Sequence, residues 1–501
     1  MNDKLLGKPP RLSIARTDAS PGRQAGRAVF YLRSVIVLSI LAFALPTLAF
    51  DFVAPFADPL QTLPKIMETG VSLPGDGKPV TCPVSKDFSK PLTLAEAVDL
   101  SLCNNPQIKS AWASIKVQAG SVGEARAAYL PTLSGTTNFM RTHSAYPGSS
   151  VAATTTEGET IYGTLSWRLF DFGGREANRK YANSLLVAAI AHHDATLQKT
   201  LADVVQAYFD AHTAKALLLA KEQNEAIAKN TLETAQRREA RGAVARSDTL
   251  QATTALAKAS LEKNRAIGAY NKALSVLVYT LGAPTQTSII LPDDLTDSGS
   301  MESKNLEDWL KITAETHPAI LSARAQLESS KLKTTSTRSE GLPTVDFSAS
   351  YYQNGYPGQG LSTTESQVNT LGISISFPFF DGFSRTYKIR GAEAQVEQKK
   401  AELQDIEHSA LMEVVKAHAD AAASLQNLQA SENLLNAAQE SLNTSQRKYE
   451  KGAADILEIL NTQAALSDAK QERIRSLAEW SSARLRLLAN VGVMGREEGG
   501  R

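Results

Sequence analysis

From Thr160 to Leu169 the chain alternates: Ile161, Gly163, Leu165, Trp167 and Leu169 fall on one side, and Thr160, Tyr162, Thr164, Ser166 and Arg168 on the other. A period of two predicts a strand with one apolar and one polar face. Thr132 to Tyr146 is a looser partner, and the Pro/Gly/Ser/Thr-rich stretch between them reads as a long exposed loop. The pattern returns in Val345, Phe347, Ala349 and Tyr351, and again in Leu371, Ile373, Ile375 and Phe377. Four strands of about ten residues are thus expected, as two hairpins, each ending in an aromatic and a turn (Phe170-Asp171; Phe380-Asp381-Gly382). Ten alternating residues match a membrane-spanning strand of a barrel. Four strands cannot close a barrel, and lipid tolerates no unpaired edge. Chains must therefore pool strands; two would supply eight and three would supply twelve.

Elsewhere the period is helical. Leu94, Val98 and Leu102 share a face, helical character resumes after Pro106 until about Ala128, and Pro131 ends it. Glu176 to Arg238 and Arg385 to Tyr449 contain no proline, and at 1.5 Å per residue each would run about 95 Å. Helices of that length imply coiled-coil packing. They return through Asp248 to Leu281 and Asp455 to Ala489. Their apolar positions are mostly Ala and Leu, as in Ala188-Ala189 and Ala421-Ala422-Ala423, which permits close helix approach and suits a barrel wall wetted inside.

The chain also repeats itself. Arg237 to Leu256 lies on Arg447 to Leu466 at an offset of 210, matching Gly242 with Gly452 and Leu250 with Leu460. Asn105-Pro106 recurs as His317-Pro318, Leu130-Pro131-Thr132 as Leu342-Pro343-Thr344, Phe170-Asp171 as Phe380-Asp381, and Leu281-Gly282 as Val491-Gly492. This predicts an internal duplication: a first repeat over 92–285 (hairpin 132–170, helical hairpin 175–282), a connecting segment 286–305, a second repeat over 306–495 (hairpin 343–380, helical hairpin 384–490), and a tail 496–501.

Composition adds an address. Arg23, Arg27 and Arg33 precede an apolar run from Val35 to Leu45, Pro46 breaks it, and Thr47-Leu48-Ala49 offers a cleavage site, so residues 1–49 read as a signal peptide. The rival reading is a membrane anchor, for which the run is short. Cleavage would remove seven basic and two acidic side chains and take the net charge from +1 to −4. No basic face remains to suggest nucleic acid. Residues 50–91, rich in Pro, Gly and Ser, read as an extended segment. Its Cys82 and the helical Cys103 are the only two cysteines. In an exported chain such a pair is expected to be bonded, with two free thiols as the alternative.

Candidate chemistry is sparse. His192-His193-Asp194 with His212 could suggest metal ligands, but the helical context reads as a solvated face. No Gly-rich phosphate loop, nucleophile elbow or HExxH occurs. No enzyme activity, metal or cofactor is expected. The repeated stretches at Gly242 and Gly452 read as helical-hairpin tips, with each glycine a C-cap and Asp248 or Asp455 at the start of the next helix. Asp455 and Glu458 lie three apart, and symmetry in an oligomer would repeat them as a carboxylate ring that favours cations. The plainer alternative is helix-start acids favoured by the dipole.

The paired hairpins and long helices, the AEAVDLSLCNNP opening, both LPT motifs and the Tyr449-x-x-Gly452 tip resemble the TolC family of outer-membrane channels. The resemblance covers about residues 92–495 and is nearest the type I secretion, CyaE-like branch. It implies an α+β membrane protein in the Gram-negative outer membrane: a homotrimer whose twelve-stranded transmembrane β-barrel, four strands per chain, continues as an α-helical coiled-coil barrel through the periplasm. It implies an exit duct for protein substrate, working with a periplasmic adaptor and an inner-membrane ABC exporter. Multidrug or metal efflux with a proton-driven pump is the alternative. It also implies a gate at the tips, where Asp248 would accept a hydrogen bond from the Tyr449 hydroxyl. Glu458 takes the first of two acidic ring positions, Asn461 occupies the second, and Ala454 stands where a linking arginine would be. A coiled-coil surface fibre, the other reading, would need no lipid-matched strands.

Overall fold

The computed structural model describes residues 58–64, 82, 88, 90–148, 150–293, 304–354, 366–451 and 453–494. The expected leader 1–49, the tail 496–501 and Gly452 lie outside the described residues. The chain divides into two units at Gln61/Thr62. Of the first, Asp58–Gln61 is described, a turn closed by Gln61 N donating to Asp58 O at 3.1 Å. Everything below concerns the second.

Its elements follow one order twice. The first half is α1 (Leu94–Asn104), α2 (Pro106–Ala127), β1 (Thr132–Ser144), β2 (Thr154–Phe170), α3 (Gly174–Ala240) and α4 (Arg246–Thr280). The second is α5 (Leu306–Thr316), α6 (Pro318–Ser339), β3 (Thr344–Gln353), β4 (Gln367–Ser376), α7 (Ser384–Glu450) and α8 (Ile456–Val491). α3 and α7 each have 67 residues, about 100 Å of helix.

Boundaries follow from local chemistry. Thr93 and Glu96 form a reciprocal capping box at the start of α1, satisfying two amides that a helix start leaves unpaired. Asn105 ends α1 and caps α2, its Oδ1 accepting from Gln107 N at 2.8 Å. Pro106 and Pro318 sit at the first helical position, where a missing N–H costs nothing. α3 and α4 both end in a glycine cap with left-handed backbone: Gly242 has φ 71° and Gly282 φ 65°, and Ala243 N and Ala283 N reach back to Arg238 O and Val278 O. This is the Schellman arrangement, and α8 repeats it at Gly492. At Gly282 a Cβ would also meet the Asn104 backbone at 2.8 Å.

One strand expectation changes. β2 begins at Thr154, so the loop spans only about 145–153; Thr154, Thr155 and Thr156 pair with Ser144, His143 and Thr142, β-branched residues that favour a pleated surface. The two hairpins join. β2 pairs with β3 from Ile161↔Gln353 to Phe170↔Val345, giving one antiparallel sheet in the order β1-β2-β3-β4.

α3 packs against α2, α4, α6 and α8, and α7 against α6 and α8. The seams are thin and rich in alanine, including Ala182, Ala188 and Ala211 on α3 and Ala410, Ala417 and Ala421 on α7. Larger clusters gather where the short helices cover the long ones. Leu92, Leu100, Val204, Tyr208 and Leu277 form one, and Trp309, Val414 and Leu487 form another.

Cys82 and Cys103 are disulfide-bonded, with Cα atoms 5.6 Å apart. The bond ties the segment before α1 to that helix. Cys82→Ser is expected to loosen this attachment by about 3 kcal/mol in the chain-entropy account. Limited proteolysis would then cut between 50 and 91 in the variant first, and denatured, unreduced wild type would take up no thiol label.

Candidate membrane face and tip gate

The cross-strand register sorts the sheet into two faces. One carries Leu133, Ile161, Leu165, Trp167, Val345, Phe347, Ala349, Leu371, Ile373 and Ile375, and the other carries Ser134, Thr164, Ser166, Ser348, Ser350, Thr370 and Ser374. Leu133, Leu371 and Ile373 are 80%, 76% and 67% exposed. An exposed apolar surface of this size, backed by a hydroxyl-lined face, requires lipid or another apolar phase on one side and water on the other. Among the described residues β1 and β4 are each paired on one side only. Exposed Phe377, Phe379, Phe380, Phe383 and Tyr387 collect where β4 gives way to α7.

A repeated corner turns each hairpin into a long helix. Phe172 and Gly173, then Gly382 and Phe383, have left-handed backbone. Asp171 Oδ2 caps Arg175 N at 2.8 Å, and Asp381 Oδ2 caps Arg385 N at 3.0 Å. The Arg175 guanidinium returns to Asp171 at 3.1 Å and donates to the Arg168, Leu169 and Ala128 carbonyls, 2.7–3.3 Å away. It also lies 4.8 Å from the Tyr129 ring centre. Sequence reading stopped at Phe170-Asp171 and missed this arginine; the signal was Asp-x-x-x-Arg recurring at 171 and 381.

At the opposite end lie the α3–α4 and α7–α8 tips. Asp455 is the N-cap of α8, its Oδ1 accepting from Glu458 N at 2.8 Å, so its first task is the plainer one of satisfying the helix start. The Glu458 carboxylate accepts from Ser445 Oγ at 2.9 Å and lies 3.6 Å from Lys448 Nζ. Asn461 is exposed. The hydrogen bond expected between Tyr449 and Asp248 is not made in this chain. Among the described residues the buried Tyr449 hydroxyl has no hydrogen-bond partner, and Asp248 accepts from Ser247 Oγ at 3.1 Å. What meets Tyr449 is Arg238, stacked on its ring. Above the first tip, Lys263 and Ser260 on α4 hold Glu225 of α3 at 2.6 Å. The Lys263 hydrogen bond keeps that carboxyl below the usual range.

The histidines need correction too. His193 and His212 are not on a solvated face: they are 0% and 2% exposed, because α1 and α2 cover α3 at that level. His193 packs on Trp112, ring centres 5.3 Å apart, and His212 lies beside Tyr208. No group of metal ligands occurs among the described residues. A cavity of about 780 Å³ between α3, α6, α7 and α8 is lined by charges of both signs, among them Lys199, Asp203, Asp405, Glu413 and Arg486. Nearby, burial pushes the Asp210 carboxyl up, opposed by a hydrogen bond from Gln206 and the charge of Arg486.

A sheet apolar on one face, with free edges and joined at one end to about 100 Å of paired helix, defines the protomer of an outer-membrane channel. The chain belongs to the outer membrane efflux protein family, whose sequence model matches residues 97–283 and 309–493. It is 33% identical over 417 residues to Protein CyaE of Bordetella pertussis, covering 83% of this chain and 87% of that one. The alkaline protease secretion protein AprF of Pseudomonas aeruginosa is 24% identical over 417 residues, 80% of this chain and 85% of its own. Among solved structures the outer-membrane channel OprN superposes with a TM-score of 0.71 at 18% identity, over 83% of this chain and 96% of that one.

Proposed function

We propose that this protein is the outer-membrane exit duct of a type I secretion system, carrying a protein substrate from an inner-membrane ABC exporter, through a periplasmic adaptor, to the outside. The observation that carries the reading is the sheet, whose apolar face and open edges demand both lipid and further strands. Three copies joined β4 to β1 make a closed twelve-stranded barrel, with the apolar face against outer-membrane lipid and the hydroxyl face inward. The helices below continue it as a periplasmic tunnel, and their matched lengths support descent from one duplicated unit. Similarity to a protein named for protease secretion favours protein cargo. The duct needs no enzymatic group or cofactor.

The gate in this reading is formed at the two hairpin tips by Asp248, Tyr449, Asp455, Glu458 and Asn461, with Gly242 as the turn of the first tip and Gly452, by its place in the sequence, as that of the second. With Asn461 neutral and Lys448 beside Glu458, the carboxylate ring is a weak cation site. Mass measurement in mild detergent tests assembly: a trimer is expected, and a monodisperse folded monomer would overturn the barrel. Deleting the gene tests cargo, with loss of a secreted protein from the medium expected. Unchanged secretion with new sensitivity to drugs or metals would transfer the duct to efflux.

A further inference from the structure

In each half a long hairpin's return helix ends against the start of a shorter helix, and the two junctions differ. α4 ends at Gly282 against Asn104, and α8 ends at Gly492, where a Cβ would stand 2.9 Å from Pro318 Cδ. At the first junction Asn105 caps α2, its Oδ1 accepting from Gln107 N. At the second, His317 stands in that place and no side chain caps α6. The His317 Nδ1 is buried without a partner among the described residues, and burial holds the imidazole below its usual pKa, so it carries no charge at neutral pH. The start of α6 therefore keeps uncapped amides and the positive end of a dipole.

His317 and Ala319 of that helix start line the cavity of about 780 Å³, a volume in the range of small-molecule sites. Gln198 lines it too and is 4% exposed. Its Nε2 donates to Met494 O at 3.0 Å, while among the described residues its Oε1 has no partner. A buried carbonyl oxygen in that state calls for a donor. Of the surrounding charges, Lys199 is occupied by Asp203 and Glu413 by Lys416. Asp405 and Arg486 make no hydrogen bond or ion pair among the described residues. Ala195, Ala202, Ile406 and Ala410 supply apolar lining. Lys199 and Gln206 lie across α3 from Val204 and Tyr208, which pack against Leu100 of α1, so the cavity opens on the side that α1 leaves bare.

We propose that this cavity binds a small zwitterion, its carboxylate held by Arg486 and the first amides of α6, its ammonium by Asp405 and Gln198 Oε1, and a short apolar link on the alanines. That the ligand enters from the tunnel rests on the reading of the chain as a duct. A helix start and a guanidinium both favour a carboxylate, and the opposite charge on the same molecule answers the carboxylate and the orphaned oxygen. The test titrates glycine, γ-aminobutyrate and ε-aminocaproate into whole purified trimers by calorimetry, with caproate and hexylamine as controls that carry one charge each. One of the three amino acids should bind, and the controls about tenfold more weakly. His317→Asn supplies the cap that Asn105 gives α2, so it should cut affinity about tenfold and raise the temperature at which trimers dissociate. Arg486→Gln and Asp405→Asn should each weaken binding about tenfold and, both positions being exposed, leave heat dissociation near wild type. Caproate binding as tightly as the best amino acid would overturn the zwitterion, as would no binding of any probe or full affinity in His317→Asn. If one variant does not assemble, the other two carry the comparison. Trimers that bind but never conduct overturn the duct and leave the site, whereas conducting trimers that bind no probe overturn the site alone.

Discussion

Ile373→Arg is expected to leave little or no folded trimer in the outer membrane, while Ser374→Arg, one residue along β4, assembles normally. Ile373 is mid-strand, 67% exposed, and on the same face as Leu371, Ile375 and Phe347. An arginine on the lipid face near the bilayer midplane costs about 2–4 kcal/mol. In the proposed trimer three copies would multiply that cost, and it would fall on a chain whose four strands cannot close a barrel alone. Ser374 lies on the hydroxyl face opposite Asp346, so an arginine there meets water and a carboxylate. Membrane fractions analysed by native electrophoresis check both. Equal assembly of the two variants would mean that the apolar face does not meet lipid.

Arg175→Ala should cost about 3 kcal/mol, because it removes several charge-assisted hydrogen bonds at a corner where the group is mostly buried. Its side chain is 14% exposed, and its Asp171 partner is equally so. Arg175→Lys should recover little, since one ammonium cannot reach the Arg168, Leu169 and Ala128 carbonyls together. The equivalent Arg385 is looser, 3.7 Å from Asp381 and 27% exposed. Arg385→Ala should therefore cost about 1 kcal/mol. Heat dissociation of purified trimers ranks the variants, and equal loss at both corners would deny the asymmetry.

Local periodicity determined much of this protein. A period of two in Val345–Tyr351 and Leu371–Phe377 is tied to the side-chain geometry of a strand. The proline-free runs ending at Gly242 and Gly452 set α3 and α7 within two residues of their observed ends, because a missing N–H or a left-handed residue acts on its own few neighbours. Recurrence of the same short motifs some 210 residues later made two equal halves legible before any contact was known.

The tertiary structure decided what distant residues do to one another. β2 reaching β3 merges two hairpins into one sheet, because pairing depends on where Val345 and Asp346 sit against Phe170 and Arg168; Arg168 and Asp346 are 178 residues apart in the chain. His193 reads as solvated from its own helix and is buried because Trp112 of α2 covers it. At the tip, both Asp248 and Tyr449 are visible in the sequence, yet Arg238 holds the ring. Residue spacing specifies a helix face, but which neighbouring helix that face meets is settled only when α3 and α7 pack, and the dipoles of their joined ends call for the cation.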